Sequence, residues 1–275
     1  MKNIWVPISG ALAQQKKVEV IANNVANANT PGFKKDAIVF KEHLTALTEK
    51  GAQDINLPNK EWAPEDFYRS YGAENAHVKV DGTFTVHEQG QLTPTGNLLD
   101  VALRGNGFLE VLTPNGTRFT RRGILSLNSE GQLVTDQGYF VLSKQNIENL
   151  DDKESLTNPN DRKISIPQGK LTINLNGELY SSGQQIGNLS VVEFKDLHTL
   201  KKEGNSLYVN NKKDNFKVSN LKTTIHQGFI EESNVNAVQE MTNLIKANRQ
   251  FESIQRAIKT FDNIAGKEVN DIARF

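Results

Sequence analysis

The sequence predicts an α+β protein, with helices at both chain ends paired as a coiled coil and a central antiparallel all-β domain between them. Three observations predict it. Apolar residues recur at spacings of three and four over residues 4–28. From His77 to about Val218 the apolar period falls to two, and turn dipeptides interrupt it. From Asn236 to Ala273 the helical period returns as a sustained 3,4 alternation.

The first helix is predicted over Ile4 to about Ala28. Ile4, Ile8, Ala11, Val18, Ala22 and Val25 fall on one stripe, with Gln15 as its polar member. Thr30-Pro31-Gly32-Phe33 stops it: Pro31 suits the second position of a type II turn, and Gly32 supplies the positive φ of the third. Residues 36–76 pattern weakly and are broken by Pro58 and Pro64, so an extended connector is expected there, with a short helix at 41–49.

The β-rich domain is expected over 77–234. Val78, Val80, Phe84 and Val86 alternate with polar neighbours, as do Leu171, Ile173 and Leu175. Asn115-Gly116, Glu130-Gly131 and Asn176-Gly177 mark turns, and an Asn-Gly pair favours the type I′ hairpin because both residues tolerate positive φ. Gly105, Gly107, Gly131 and Gly138 are assigned to the backbone of this fold, with Phe108 beside them. The polar run 144–163 is expected to be a loop or exposed insertion.

The C-terminal helix carries the strongest pattern. Leu244, Ala247, Phe251, Ile254, Ile258, Phe261 and Ala265 form a coiled-coil stripe. Asn236, with Gln239 three residues on, resembles a capping box, and Glu240 suits the positive end of the helix dipole. A helix of this length spans roughly 50 Å and needs a helical partner. The N-terminal helix is the simplest one. Residues 1–35 hold five lysines against one glutamate, and residues 228–275 hold six basic residues against seven acids. The C-terminal helix is the longer, so part of its stripe is left as a self-assembly surface.

Composition narrows the function. Thirty-two Lys and Arg balance thirty-two Asp and Glu over 275 residues. That balance gives no electrostatic drive toward nucleic acid or an acidic membrane, and it weakens repulsion between copies. The chain has no cysteine, which excludes disulfide and thiolate chemistry. No apolar run approaches the ~18–20 residues of a membrane span. Lys16, Lys17 and Glu19 interrupt any signal-peptide core, so no cleavable secretory signal is expected.

Catalytic patterns are weak. His43, His77, His87, His198 and His226 form neither HxH nor HExxH, so no metal or other cofactor is expected. Gly105-Asn106-Gly107 lacks the rest of a phosphate loop, and the acidic pairs Asp151-Asp152 and Glu231-Glu232 lie in polar stretches that read as solvated charge. Arg121-Arg122 is too short for a nucleic-acid patch.

The asparagine-rich segment ANNVANANTPGFKK (22–35) is distinctive. Capping of the helix end explains Asn27 and Asn29, whereas Asn23, Asn24 and Asn27 are also suited to fixing register between neighbouring subunits. This segment resembles the N-terminal signature of the flagellar basal-body rod and hook protein family. ISGALAQQKK (8–17), TPTGNLLDVALRGNGFLEV (93–111), RFTRRGILSLNSEGQLVTDQGYFVL (118–142) and SNVNAVQEMTNLIKANRQFES (233–253) are similar to it in the same order. Within the family, NRQFES (248–253) and the divergent stretch 50–76 resemble the FlgF-type branch more than the FlgG type of the distal rod.

The resemblance implies an inner tube of paired terminal helices with the β domain outside it, and a mechanical role in transmitting torque without catalysis. It implies other rod subunits and copies of the same chain as partners. It also implies passage through the flagellar type III export apparatus and a final place in the periplasmic rod. On this reading the interface residues are Ile8, Leu12, Val18, Ile21, Asn23, Asn24, Val25 and Asn27 in the first helix, and Leu244, Asn248, Phe251, Ile254, Ile258 and Phe261 in the last. The alternatives are another axial protein of the distal rod or hook type, or a cell-wall-acting β domain on helical anchors, which would need a cleft with converging carboxylates.

Overall fold

The computed structural model describes residues 5–45, 75–144, 158–167, 171–217 and 222–272. The chain packs as two compact units. One comprises Met1–Asn23, Asp36–Phe84 and Val238–Phe275; the other comprises Asn24–Lys35 and Thr85–Ala237.

The first unit holds the helices α1 (Trp5–Ala26) and α2 (Ala237–Ile272) with a two-stranded ribbon of β1 (Asp36–Thr45) and β2 (Asn75–Thr85). The helix ends agree with the predicted signals: α1 stops before the Thr30–Phe33 turn, and α2 begins directly after Asn236. Residues 41–45, expected to begin a short helix, are instead the end of β1. Val39 and Phe40 there are β-formers, and β2 supplies a pairing partner that local pattern does not reveal. The rest of that expected helix, 46–49, lies outside the described residues.

In α1 the buried line differs from the predicted stripe. Ala13 and Ile21 are buried, Ile8, Ala11, Val18 and Val25 are half-buried, and Ala22 is exposed. Ala13 sits about half a turn and Ile21 about a quarter of a turn from the centre of the stripe. The helix is apolar on most of its circumference, with Val6, Leu12, Val20 and Ile21 outside the stripe, so periodicity alone does not select a face.

The second unit is built on a nine-stranded antiparallel sheet centred on β5 (Gly107–Thr113). Along one edge β5 pairs with β6 (Gly116–Thr120). Along the other it pairs with β9 (Phe140–Val141) toward one end and β13 (Val191–Phe194) toward the other. Both faces of β5 are covered. Leu109 and Val111 enter a large aliphatic core with Leu125, Leu133, Val141, Leu171, Ile173, Leu179 and Ile225. Phe108 points the other way, into an aromatic cluster with Phe119, Phe194, Leu200 and Tyr208. Two smaller pairings, β4 (Val101–Arg104) with β17 (Thr224–Gln227) and β10 (Leu171–Ile173) with β11 (Glu178–Ser181), add side chains to the aliphatic core.

The turns form where the dipeptides predict, but not as type I′. Gly116, Gly131 and Gly177 have φ of 99°, 74° and 89°, whereas neither Asn115 nor Asn176 is left-handed. In two of the three the glycine amide donates back to an asparagine three residues earlier, Asn128 at 3.0 Å and Asn174 at 2.9 Å. This is a type I turn closed by a left-handed glycine, the commonest three-residue hairpin. The turns with two left-handed residues fall at Ser182-Gly183 (φ 50° and 86°) and Asn205-Ser206 (φ 49° and 57°). The polar run expected as a loop also docks at its end: Arg162 is buried and its guanidinium grips Glu110, with Nη1 to Oε1 at 3.0 Å, and the Ser143 carbonyl at 2.9 Å. Residues 145–157 of that run lie outside the described residues.

Candidate assembly interface

In α2 the predicted stripe grows more exposed along its length. Ala247 is 1% exposed; Leu244, Phe251, Ile254 and Ile258 are half-buried; Phe261 is 57% exposed, and Ile264, next to the stripe, is 50% exposed. At 1.5 Å per residue, α2 outruns the 22 residues of α1 by about 20 Å. Among the described residues, Phe261 and Ile264 leave the distal part of α2 with exposed apolar surface. Asn248, the polar member of this set, is exposed. A second apolar line of Val238, Met241 and Ile245 is also exposed, on the face roughly opposite Ala247. Sequence reasoning passed over it because a stripe of three residues is too short to stand out.

In α1, Ile21 is buried, Leu12 is 61% exposed, and Ile8, Val18 and Val25 lie between. The asparagines divide. Asn23 is exposed, Asn24 is buried, and Asn27 accepts the Thr30 hydroxyl at 3.2 Å, which gives it a local capping role.

The turn after α1 is anchored in the β unit by Lys34, Arg121 and Glu231, the last of which reads from sequence as solvated charge. Phe33 N donates to Thr30 O at 3.2 Å and Gly32 has φ 70°, as a type II turn after Pro31 requires. Gly32 lies against the backbone of Arg121 and Arg122 and donates its amide to the Glu231 carbonyl at 2.8 Å. Next in the chain, Lys34 is fully buried. Its ammonium donates to Glu231 Oε1 at 2.5 Å and to the Glu88 carbonyl at 2.6 Å.

Arg121, also buried, donates from Nη1 to Glu231 Oε2 at 3.2 Å and from Nη2 to the Gly105 carbonyl. Its guanidinium lies 5.0 Å from the centroid of the Phe108 ring. One carboxylate thus faces two buried cations. Burial pushes both Lys34 and Arg121 below their ordinary pKa, and Glu231 pulls each the other way.

A strap of residues 86–91 closes the anchor. Val86 N donates to Lys35 O at 2.9 Å, Gly90 N to Glu231 Oε1 at 2.9 Å, and Glu232 N to Gln91 O at 2.8 Å. Asn234 ties the three segments together: its Oδ1 accepts from Lys35 N at 2.8 Å, and its Nδ2 donates to Val86 O at 2.9 Å. Lys202 covers the turn, 3.8 Å over the Phe33 ring and donating to Lys34 O at 2.7 Å. The TPGFKK and SNVN motifs are therefore a matched pair that fixes the chain where it leaves α1 to where it enters α2.

The glycines flagged from the sequence serve the backbone in different ways. Gly105, Gly131 and Gly138 are left-handed, whereas Gly107 has no room for a side chain beside Val191 and Thr223.

Known proteins match this arrangement along its whole length. Residues 6–34 match the profile described as flagella basal body rod protein, residues 102–181 the flagellar hook protein FlgE/F/G D1 domain, and residues 226–272 the flagellar basal body rod FlgEFG protein C-terminal region. The flagellar basal-body rod protein FlgG of Borreliella burgdorferi is 31% identical over 273 residues, covering 97% of both chains. The chain belongs to the flagellar basal-body rod protein family. FlgG and FlgF of Caulobacter vibrioides are each 32% identical to it, over 96% and 95% of this chain and 97% and 93% of their own lengths. These two relatives, one from each rod branch, are equally identical to it, consistent with a chain of the FlgF/FlgG type. Gly32 and Lys34 fall within the N-terminal match, Glu231, Asn234 and α2 within the C-terminal one and Arg121 within the D1 match, whereas the 86–91 strap lies outside all three.

Proposed function

We propose that this chain is a structural subunit of the flagellar basal-body rod, and that it polymerises with other rod subunits and copies of itself into the shaft that carries torque from motor to hook. The observation that carries the assembly claim is the apolar stripe of α2, covered at Ala247 and open at Phe261, with Ile264 exposed beside it. Exposed apolar surface of this kind marks a protein interface, and a neutral chain offers little repulsion to copies that meet there. The interface draws on the exposed and half-buried residues named from the sequence in both helices, whereas Ile21 and Asn24 are buried within the chain and serve its own packing. Delivery is through the flagellar type III export apparatus into the periplasmic part of the basal body, and no helix among the described residues is long and apolar enough to cross a membrane.

Catalysis is not part of this function. The family is a structural one, and the buried carboxylates are spent on structure. Among the described residues, Glu231 holds Lys34 and Arg121, Glu193 holds Lys217 and Thr223, Asp100 accepts the Thr95 hydroxyl, and the half-buried Glu110 holds Arg162.

Ile258→Asp tests the proposal in a strain lacking the native gene. An unpaired carboxylate in the stripe costs several kcal/mol (~3–5) in every subunit of an assembled seam. The β unit has its own core and should fold normally. The expected result is a soluble, stable subunit and cells that build no complete rod and do not swim. Completed rods with restored motility would refute the proposal.

A further inference from the structure

The strap carries one titratable side chain that the anchor does not use. His87 sits between Val86 and Glu88, whose carbonyls receive Asn234 and Lys34. Its ring packs edge-on to Phe108 at 5.9 Å and tilted against Tyr208 at 5.5 Å. Nδ1 is enclosed and has no hydrogen-bond partner among the described residues. The charges that bear on the ring come from four separate segments, and all are basic: Lys34 after the turn, Arg121 after β6, His198 in the 3-10 turn Leu197–Thr199, and Lys202 in the strand Leu200–Gly204. Of the acids near the anchor, Glu231 is already engaged by Lys34 and Arg121, and Glu88 is exposed.

We infer that His87 is an acid-sensitive latch, whose protonation lifts the 86–91 strap off residues 33–35 and 231–234 while the two cores of the β unit stay folded. The physical reason is local. An imidazolium carries N–H on both ring nitrogens, so Nδ1 becomes an enclosed donor with no acceptor. It is also one more cation in a cluster where one carboxylate already faces two. The Phe108 ring already holds Arg121, so it offers little further cation–π relief. The enclosed Nδ1 can reach water or an acceptor only if the ring moves out, and the strap is the segment that carries it.

Burial, then the charges of Lys34 and Arg121, push the His87 pKa down to about 4. The folded strap thus binds fewer protons than the open one between the ordinary histidine pKa and about 4. The latch is closed at neutral pH and weakens as pH falls through that window. At pH 5 the opening constant should exceed its value at pH 7.5 by about ten- to thirtyfold.

Amide hydrogen exchange on the full-length purified chain at pH 7.5 and pH 5, corrected for intrinsic rates, tests this. The amides of Val86, Gly90, Lys35 and Glu232 should lose protection by that factor, and those of Leu109, Val111 and Leu133 should not. His87→Gln, neutral at every pH, should make the strap amides insensitive to pH. His87→Phe, which refills the aromatic slot, serves as the second variant. Unchanged wild-type strap protection, equal loss in strap and core, or a pH response retained in a folded variant would each overturn the inference.

Discussion

Glu231 is the residue on which most of the anchor depends, because two fully buried cations share its carboxylate. Glu231→Gln preserves shape and leaves Lys34 and Arg121 without a counter-charge. The expected loss is about 3–5 kcal/mol at neutral pH, measurable as a lower urea midpoint. The variant should also recover stability as pH rises from 7 toward 10. Lys34 in its folded form would lose its proton first, so the unfolded state would bind more protons and stability would climb with pH.

Gly32 depends on space as well as on φ. A Cβ there would lie 2.6 Å from Arg122 N and 2.7 Å from Arg121 C. Gly138, with φ 83° and open space around it, isolates the backbone cost. Gly138→Ala should cost about 1–2 kcal/mol and Gly32→Val clearly more, with equal losses in denaturant titrations counting against the close contact. Turn chemistry made Gly32 legible in the sequence. Gly90 and Gly123 were not legible, because what excludes a side chain there is a carbonyl brought close by the fold, from Glu232 in one case and Val101 in the other.

At the scale of elements, α2 is a helix whose support changes along its length. An isolated helix gains little from propensity alone and is held by the packing of its apolar face. Amide exchange on the monomeric chain should show protection around Leu244–Ile254 and progressive loss beyond Phe261, with the strands of the nine-stranded sheet protected most. Uniform protection across α2 in a verified monomer would mean that the distal stripe is already covered.

The sequence revealed α2 because its pattern is long and one-sided. It did not reveal the face that α1 buries, because a helix apolar on most sides carries no directional signal. The ribbon of β1 and β2 was hidden for another reason. Its strands are separated by 29 residues outside the described structure, and only pairing turns the first of them into a strand. On the strand Leu200–Gly204, at the end of the sheet order, the exposed Lys201 is explained by position, because a charge on an edge strand resists pairing with another chain, whereas Lys202 is engaged with the turn.

At the scale of the whole molecule, the division into helical ends and a β middle was legible, and so were the motifs that join them. Their mode of joining was not. Lys34, Arg121 and Glu231 look like surface charges in sequence because nothing nearby in the chain marks them as buried. Only the topology brings the three together.

That meeting has a consequence in time. The Lys34–Glu231 contact spans 197 residues of chain, and contacts so far apart in sequence make folding slow, because a long loop must close before they form. The β unit also takes its N-terminal segment and its last strand, β18 (Phe229–Glu231), from opposite ends of the chain. A partial chain holding Lys34 without Glu231 would have to bury an uncompensated ammonium, so it gains little by closing the anchor early. The last step of folding therefore waits for the whole polypeptide. A chain whose C-terminal residues are not yet free to fold stays open at the point where its two ends are later tied.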